Sequence, residues 1–71
     1  MNFEVGKYYK HTTNQMIHIL CQIDTAIYGN TLLAESLDGS FIPCGKDEAS
    51  TVNYTEISKE EWDKVLEEAN K

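Results

Sequence analysis

The sequence predicts a small, mainly β domain of the α+β class, in which an antiparallel meander of about five strands precedes one C-terminal α-helix. Three observations predict this fold. Apolar and polar residues alternate with a period of two over much of residues 3–57. Two dipeptides of the kind that closes β-hairpins separate apolar runs. Residues 59–70 have the apolar spacing of an amphipathic helix. We expect residues 1–71 to form a single domain, because so short a chain has no room for two cores.

The turn signals place the strands. Gly29-Asn30 fits a two-residue type II′ hairpin loop, and Asp38-Gly39 between apolar runs is a strong hairpin signal. The polar stretch 12–15 reads as a turn, and so does the loop 45–50. Strands that flank short loops pair in sequence order. The predicted strands are about 3–11, 16–28, 31–37, 40–44 and 51–57.

The second strand is the most apolar part of the chain, and both of its faces carry apolar side chains. Its better core face holds Ile17, Ile19, Cys21 and Ile23, and its other face holds Met16, His18, Leu20 and Gln22. A strand of this kind is covered on both sides, either within one chain or by a second copy. We therefore expect Cys21 to be buried and inert.

The helix has a complete start signal. Ser58 can cap it, Glu61 completes a capping box, and Ile57 with Trp62 forms a hydrophobic staple. So short a helix is unstable alone, so its apolar stripe must dock on the sheet. The stripe consists of Trp62, Val65, Leu66 and Ala69. Two architectures fit: a small SH3-like half-open barrel, or a flat antiparallel sheet with the helix across it.

Composition narrows the function classes. Twelve acids against six lysines give a net charge of −6, and the chain has no arginine. This charge disfavours binding to duplex nucleic acid, because proteins gain affinity for a duplex by neutralising its phosphates with cationic side chains. No segment has the length of a membrane span or the pattern of a secretory signal, so we expect a cytoplasmic protein. We also expect homo-oligomerisation, because a chain this short buries only a modest core and gains stability from self-association.

The sequence predicts no enzyme and no cofactor. Cys21 and His18 lie on opposite faces of one predicted strand and cannot easily form a catalytic pair. The glycines form no phosphate-binding loop. Two cysteines and two histidines lack zinc-finger spacing, so we expect no metal site, and in a cytosolic chain the cysteines are most simply reduced.

One short stretch, "KYYKHTT", combines cations, aromatic rings and hydroxyls. One interpretation is a site for a small anionic nucleotide, in which lysines supply charge, rings stack on a base and hydroxyls bond to phosphate. The other is an ordinary edge strand whose lysines prevent aggregation. The candidate ligand-binding residues are Lys7, Tyr8, Tyr9, Lys10, His11, Thr12 and Thr13, with His18 on the next strand.

The exposed face of the C-terminal helix is mainly carboxylate. It could imitate nucleic-acid phosphates and occupy a basic groove of a partner protein, with Glu60, Asp63 and Glu67 as the contact residues. The alternative is an acidic face that is simply solvated.

The start "GKYYKHTT", the strand "MIHIL" and the ending "EISKEEWDKVLEEANK", with the small size and acidity of the chain, resemble small proteins encoded by phages and prophages of Gram-positive bacteria. The resemblance implies a counter-defence (immune evasion) protein in the host cell cytoplasm. Our leading hypothesis is a self-associating, non-enzymatic binding module that sequesters a nucleotide signal. The alternative is an inhibitor that blocks a host defence nuclease or effector, and a third option is a protein that docks on a partner through a strand edge.

Overall fold

The computed structural model describes residues 2–46 and 48–69, and the side chains of Glu48 and Ser50 are not described. The predicted domain and helix therefore include four positions outside the described residues, namely 1, 47, 70 and 71. In the part that is described, no helix combines the length and the apolarity needed to cross a membrane. The elements are β1 (Tyr8–His11), β2 (Met16–Thr25), β3 (Gly29–Ser36), β4 (Phe41–Cys44), α1 (Glu48–Thr51), β5 (Tyr54–Ile57) and α2 (Lys59–Ala69).

All five strands form one open antiparallel sheet in the order β4-β3-β2-β1-β5. The first four strands pair in sequence order, as the turn signals predict. The fifth strand returns to the other edge and pairs with β1, where Tyr9 lies opposite Glu56 and His11 opposite Tyr54. The predicted mainly β class with one C-terminal helix is confirmed.

The core of the domain lies on one face of the sheet. Cys44 on one edge strand belongs to the core cluster, and Tyr54 on the other edge strand packs against the same cluster. The core therefore extends across the open sheet from one edge strand to the other. The buried members of the cluster are Phe3, Tyr9, Ile17, Ile19, Leu32, Ala34 and Cys44.

The N-terminal segment covers one end of this core and does not continue β1. Gly6 has a φ of 88°, a left-handed conformation that glycine adopts without strain. It donates a backbone hydrogen bond to the carbonyl of Ile19 (2.8 Å), and the amide of Ile19 bonds back to Lys7 (3.0 Å). The predicted first strand therefore begins later than expected, at Tyr8, and residues 2–5 are free to fold over the sheet.

Two predicted connections are wrong in detail. The β2–β3 loop is not Gly29-Asn30: Thr25 pairs with Gly29, so the loop is residues 26–28, and Gly29 follows it with a φ of 67°. A three-residue loop followed by a left-handed glycine is a common hairpin form. In addition, residues 48–51 form the single helical turn α1, so the predicted fifth strand starts at Tyr54.

A bulge in β2 changes which side chains face the core. Ile19 lies opposite Ala34, but Cys21 lies opposite Leu33, so Leu20 is an extra residue in the ladder. Because side chains alternate with a period of two, one inserted residue reverses the faces of everything after it. The prediction that Cys21 is buried beside the isoleucines is therefore wrong, since Cys21 is exposed. Gln22 takes the core side instead.

Helix α2 covers the opposite face of the sheet. Its cap matches the sequence signal, since the hydroxyl of Ser58 accepts a hydrogen bond from the amide of Glu61 at 3.1 Å. Trp62 is 4% exposed and lies over Tyr8 and His18, with ring centroids 5.4 and 5.9 Å away. Of the predicted apolar stripe, Trp62 is buried on the sheet, Val65 and Leu66 are half-buried, and Ala69 is exposed.

The turn between β3 and β4 is held by a carboxylate. Asp38 Oδ1 accepts hydrogen bonds from the hydroxyl of Ser36, the hydroxyl of Ser40 (2.6 Å) and the amide of Ser40 (2.9 Å). Donors aimed at the ionised form lower the pKa of Asp38 to about 2, with the Ser36 hydroxyl as the largest cause. Gly39 follows with a φ of 87°. The predicted Asp38-Gly39 turn is therefore confirmed.

We expect Trp62→Ala to lower the free energy of unfolding by about 3 kcal/mol, because it removes a large buried ring and leaves a cavity between helix and sheet. Urea denaturation followed by circular dichroism measures the change. Glu68→Ala, on the exposed side of the same helix, serves as the control and should change stability by less than about 0.5 kcal/mol. A loss below about 1 kcal/mol for Trp62→Ala would show that α2 does not depend on this contact.

Candidate functional site

The predicted ligand-binding residues do not meet at one place. Strand β1 divides them between the two faces of the sheet, because neighbouring side chains point to opposite sides. Tyr9 lies in the core, whereas Tyr8 lies against Trp62 under α2. Lys10 shares the helix side with Tyr8, and His11 shares the core side with Tyr9.

Lys7 is already neutralised by acids. Its ammonium lies 3.0 Å from Glu4 Oε2 and 3.4 Å from Glu56 Oε2. The hydrogen bond from Lys7 to Glu4 and the charges of both acids raise the pKa of Lys7. An anionic ligand would have to compete with two carboxylates for this cation.

Tyr9 is unavailable for stacking on a ligand, because it is 1% exposed. Its ring packs edge-on against Phe3 with centroids 4.8 Å apart. Its hydroxyl accepts a hydrogen bond from the amide of Glu4 at 2.8 Å. The structure therefore gives Tyr9 a packing role that holds the N-terminal segment on the core.

His11 and the threonines form a local turn. The amide of Thr13 donates to Nδ1 of His11 at 3.2 Å, and the Thr13 hydroxyl lies 2.9 Å from the same atom. The His11 ring packs edge-on against Tyr54, at 4.8 Å between centroids. The amide of Thr12 donates to the carbonyl of Asn53 (3.1 Å). Both threonine side chains are exposed.

Tyr8 and His18 are the only predicted site residues among those described whose rings contact each other. The rings are stacked, 4.2 Å apart and inclined by 15°. His18 Nδ1 lies 3.0 Å from Glu35 Oε1, a distance at which the carboxylate fixes the orientation of the imidazole. The bulge in β2 also brings Cys21 to the same face as His18 and Glu35, contrary to the sequence prediction. No hydrogen bond joins Cys21 to His18 in the described structure.

A cavity among the described residues lies between the N-terminal segment and the β2–β3 hairpin. We call it the N-terminal cavity, and its volume is about 480 Å³. Its floor includes Phe3 and Leu32, which are 8% and 4% exposed. None of the predicted ligand-binding residues lines it. The lining residues are Asn2, Phe3, Glu4, Val5, Gln22, Leu32 and Lys46.

A polar network borders the N-terminal cavity. The ammonium of Lys46 and the amide Nε2 of Gln22 (2.5 Å) both donate to Oδ1 of Asn30. Nδ2 of Asn30 in turn donates to Asp24 at 2.9 Å. Sequence reasoning did not find this site, because it depends on residues 2–5 folding over the bulged strand, and no local pattern encodes that contact.

The tip of the β2–β3 hairpin, residues 25–29, is a second notable surface. Ile27 is 86% exposed and Tyr28 is 65% exposed. The backbone is nevertheless ordered by hydrogen bonds, since the hydroxyl of Thr25 accepts from the amide of Tyr28 (2.7 Å) and donates to the carbonyl of Gly29 (3.3 Å). The tip therefore presents two apolar side chains to solvent on a structured turn.

Comparisons with protein-family models, with curated proteins and with solved structures found no match for this chain. Among the described residues, no three histidine, cysteine, aspartate or glutamate side chains come together as candidate metal ligands. The sequestration of a nucleotide by residues 7–13 stays a prediction, and the geometry gives it little support.

We expect the two cysteines to differ sharply in reactivity. Cys21 is exposed, whereas Cys44 is buried in the core and its pKa is raised by that burial. In native protein, 5,5′-dithiobis(2-nitrobenzoate) should therefore modify Cys21 quickly and Cys44 only on unfolding. Cys21→Ser should remove the fast phase and leave the slow one. Equal rates for both thiols would contradict the bulged register of β2.

Proposed function

We propose that this protein is a non-enzymatic binding module that docks on a partner protein through the tip of the β2–β3 hairpin. The observation that carries the proposal is the exposure of Ile27 and Tyr28 at the end of a structured ribbon. Adjacent apolar side chains exposed to water lower solubility, and tyrosine is enriched among the residues that contribute most binding energy at protein interfaces.

The charge distribution supports this surface. Asp24 is the only residue from Met16 to Ala34 with a formal charge, histidine aside, although the whole chain carries −6. The cores of protein interfaces are depleted of charged residues and enriched in tyrosine. The hairpin is thus a nearly neutral region on a strongly acidic molecule, where a partner meets little charge to desolvate.

The shape supports a concave partner. The molecule measures 37 × 21 × 19 Å, so it is distinctly elongated. Paired residues of β1 reach no further along β2 than His18, and those of β4 no further along β3 than Leu32. The far part of the hairpin is therefore a two-stranded ribbon, and its convex tip fits a hydrophobic pocket wide enough for an aromatic ring. The strand edges beside the tip add backbone groups for pairing.

The resemblance to phage-encoded proteins suggests which partner to test. A host defence protein that presents such a pocket would be inactivated by occupancy alone, without any chemistry in this chain. On this hypothesis the protein is a counter-defence inhibitor that works by contact.

A second candidate surface is the exposed side of α2. Only Asp63 among its acids has a described cation partner, Lys59 at 2.9 Å. This pairing leaves most of the negative charge of the helix free to meet a basic groove. The exposed acids are Glu60, Glu61, Asp63, Glu67 and Glu68.

The docking proposal is tested with a photo-crosslinking phenylalanine derivative in place of Tyr28, expressed in a Gram-positive host. We expect one host protein to be crosslinked from this position. The same derivative in place of Val52 is the matched control, because Val52 is 68% exposed but lies beside Asn53, which bonds to the β1–β2 turn at the other end of the sheet. Crosslinking to the same proteins from both positions would indicate nonspecific adhesion.

The purified partner then allows affinity to be measured by calorimetry. We expect Ile27→Asp with Tyr28→Asp to weaken binding about 100-fold, because two apolar anchors become charges that the pocket must desolvate. Val52→Asp should leave affinity unchanged. The free energy of unfolding of every variant should lie within about 0.5 kcal/mol of the parent value, because these side chains are exposed. Unchanged affinity in the double variant would show that the hairpin tip is not the docking site.

The same measurement separates the second candidate. If α2 makes the contact, the variant Glu60→Gln, Asp63→Asn, Glu67→Gln should weaken binding and reduce its dependence on salt, because exposed charges act through screened attraction. If the hairpin tip makes the contact, this triple variant should bind as the parent does. A loss of affinity in the triple variant alone would transfer the docking site to α2.

A further inference from the structure

We propose that the N-terminal cavity binds a small organic anion that has a flat apolar body, with its anionic group at Lys46. The site is separate from the hairpin tip and does not depend on the docking function. Its volume of about 480 Å³ lies within the range of small-molecule sites. Such sites combine an apolar lining with a few polar groups that orient the ligand.

The floor of the cavity is apolar and held in place by packing. Phe3 meets Tyr9 edge-on at 4.8 Å and Tyr54 edge-on at 5.2 Å, so its ring has fixed neighbours on two sides. Leu32 belongs to the same buried cluster. Val5 adds a side chain that is 54% exposed. A flat ring placed here would cover Val5 and the open side of Phe3 and Leu32.

The charges around the cavity favour an anion. The described lining contains one acid, Glu4, and one cation, Lys46. Glu4 is already paired with Lys7 at 3.0 Å. Lys46 donates only to the neutral amide of Asn30 in the described structure, and it has no described carboxylate partner. An anionic group would therefore find one unpaired ammonium at the rim.

The neighbouring amides complete the polar side of the site. Gln22 and Asn2 both line the cavity and carry side-chain N–H donors. Gln22 is held by its hydrogen bond to Asn30, which is fixed from its other end by Asp24. The carboxylate of Asp24 accepts its described hydrogen bond from Asn30 and forms no described ion pair with Lys46. The ligand class is thus an aromatic ring with one carboxylate or phosphate, a description that includes aryl carboxylates and nucleoside monophosphates.

The test is a titration of ¹⁵N-labelled protein with naphthalene-2-carboxylate, followed by amide chemical shifts. We expect the largest shifts at Phe3, Val5 and Leu32. Naphthalene-2-carboxamide has the same shape without the charge and should bind about tenfold more weakly, the difference that a charge-assisted hydrogen bond supplies.

Two variants assign the charge. Lys46→Gln should bind the carboxylate and the carboxamide equally, whereas Lys64→Gln on α2 should keep the preference. Adenosine monophosphate and adenosine form a second pair of charged and neutral probes. If the protein prefers the monophosphate and Lys46→Gln removes that preference, the site also accepts nucleotides. If only the aryl carboxylate binds, the site is limited to carboxylates.

Three results would overturn the proposal: no localised shifts with about 5 mM of any probe, equal binding of the charged and neutral naphthalenes to the parent, or an unchanged preference in Lys46→Gln. The double hairpin variant Ile27→Asp, Tyr28→Asp should bind these probes like the parent. The outcome is therefore independent of whether the hairpin tip docks on a partner.

Discussion

Strand β2 is the constraint on which the rest of the molecule depends, because its first half must be covered on both faces. Ile17 and Ile19 are fully buried in the core cluster, and Met16 is 3% exposed on the opposite side. A single sheet cannot bury both faces of its central strand by itself. The core cluster covers one face, and α2 covers the other through Trp62. The core and the helix are therefore two responses to one apolar strand.

The bulge at Leu20 ends this double coverage. Beyond it the side chains exchange faces, so that Cys21 turns outward and Gln22 turns toward the open end of the core. One strand thus serves two purposes. Its first half is the centre of the domain, and its second half is one side of a ribbon that carries Ile27 into solvent. The N-terminal cavity lies where these halves meet, between the ribbon and residues 2–5.

Charge is distributed according to the same division. The acids concentrate on α2 and near its start, while the ribbon is almost neutral. Lys7 is held between Glu4 and Glu56, so the cation that looked most functional in the sequence is offset by two acids. No sequence motif includes Lys46, yet it lines a cavity and its only described partner is the side-chain amide of Asn30. The availability of a charge depends on its neighbours in space.

The sequence by itself determined the features that local chemistry encodes: a left-handed glycine at Gly39, the helix cap at Ser58 and the apolar stripe around Trp62. Each depends on residues within a few positions of one another. Only the tertiary structure decided that β5 returns to β1, that Leu20 is an extra residue in its ladder, and that Tyr9 is buried. These outcomes depend on contacts between distant segments, such as the hydrogen bond from the amide of Gly6 to the carbonyl of Ile19. Both faces of β2 carry apolar residues, so the sequence pattern alone does not determine which face is in the core.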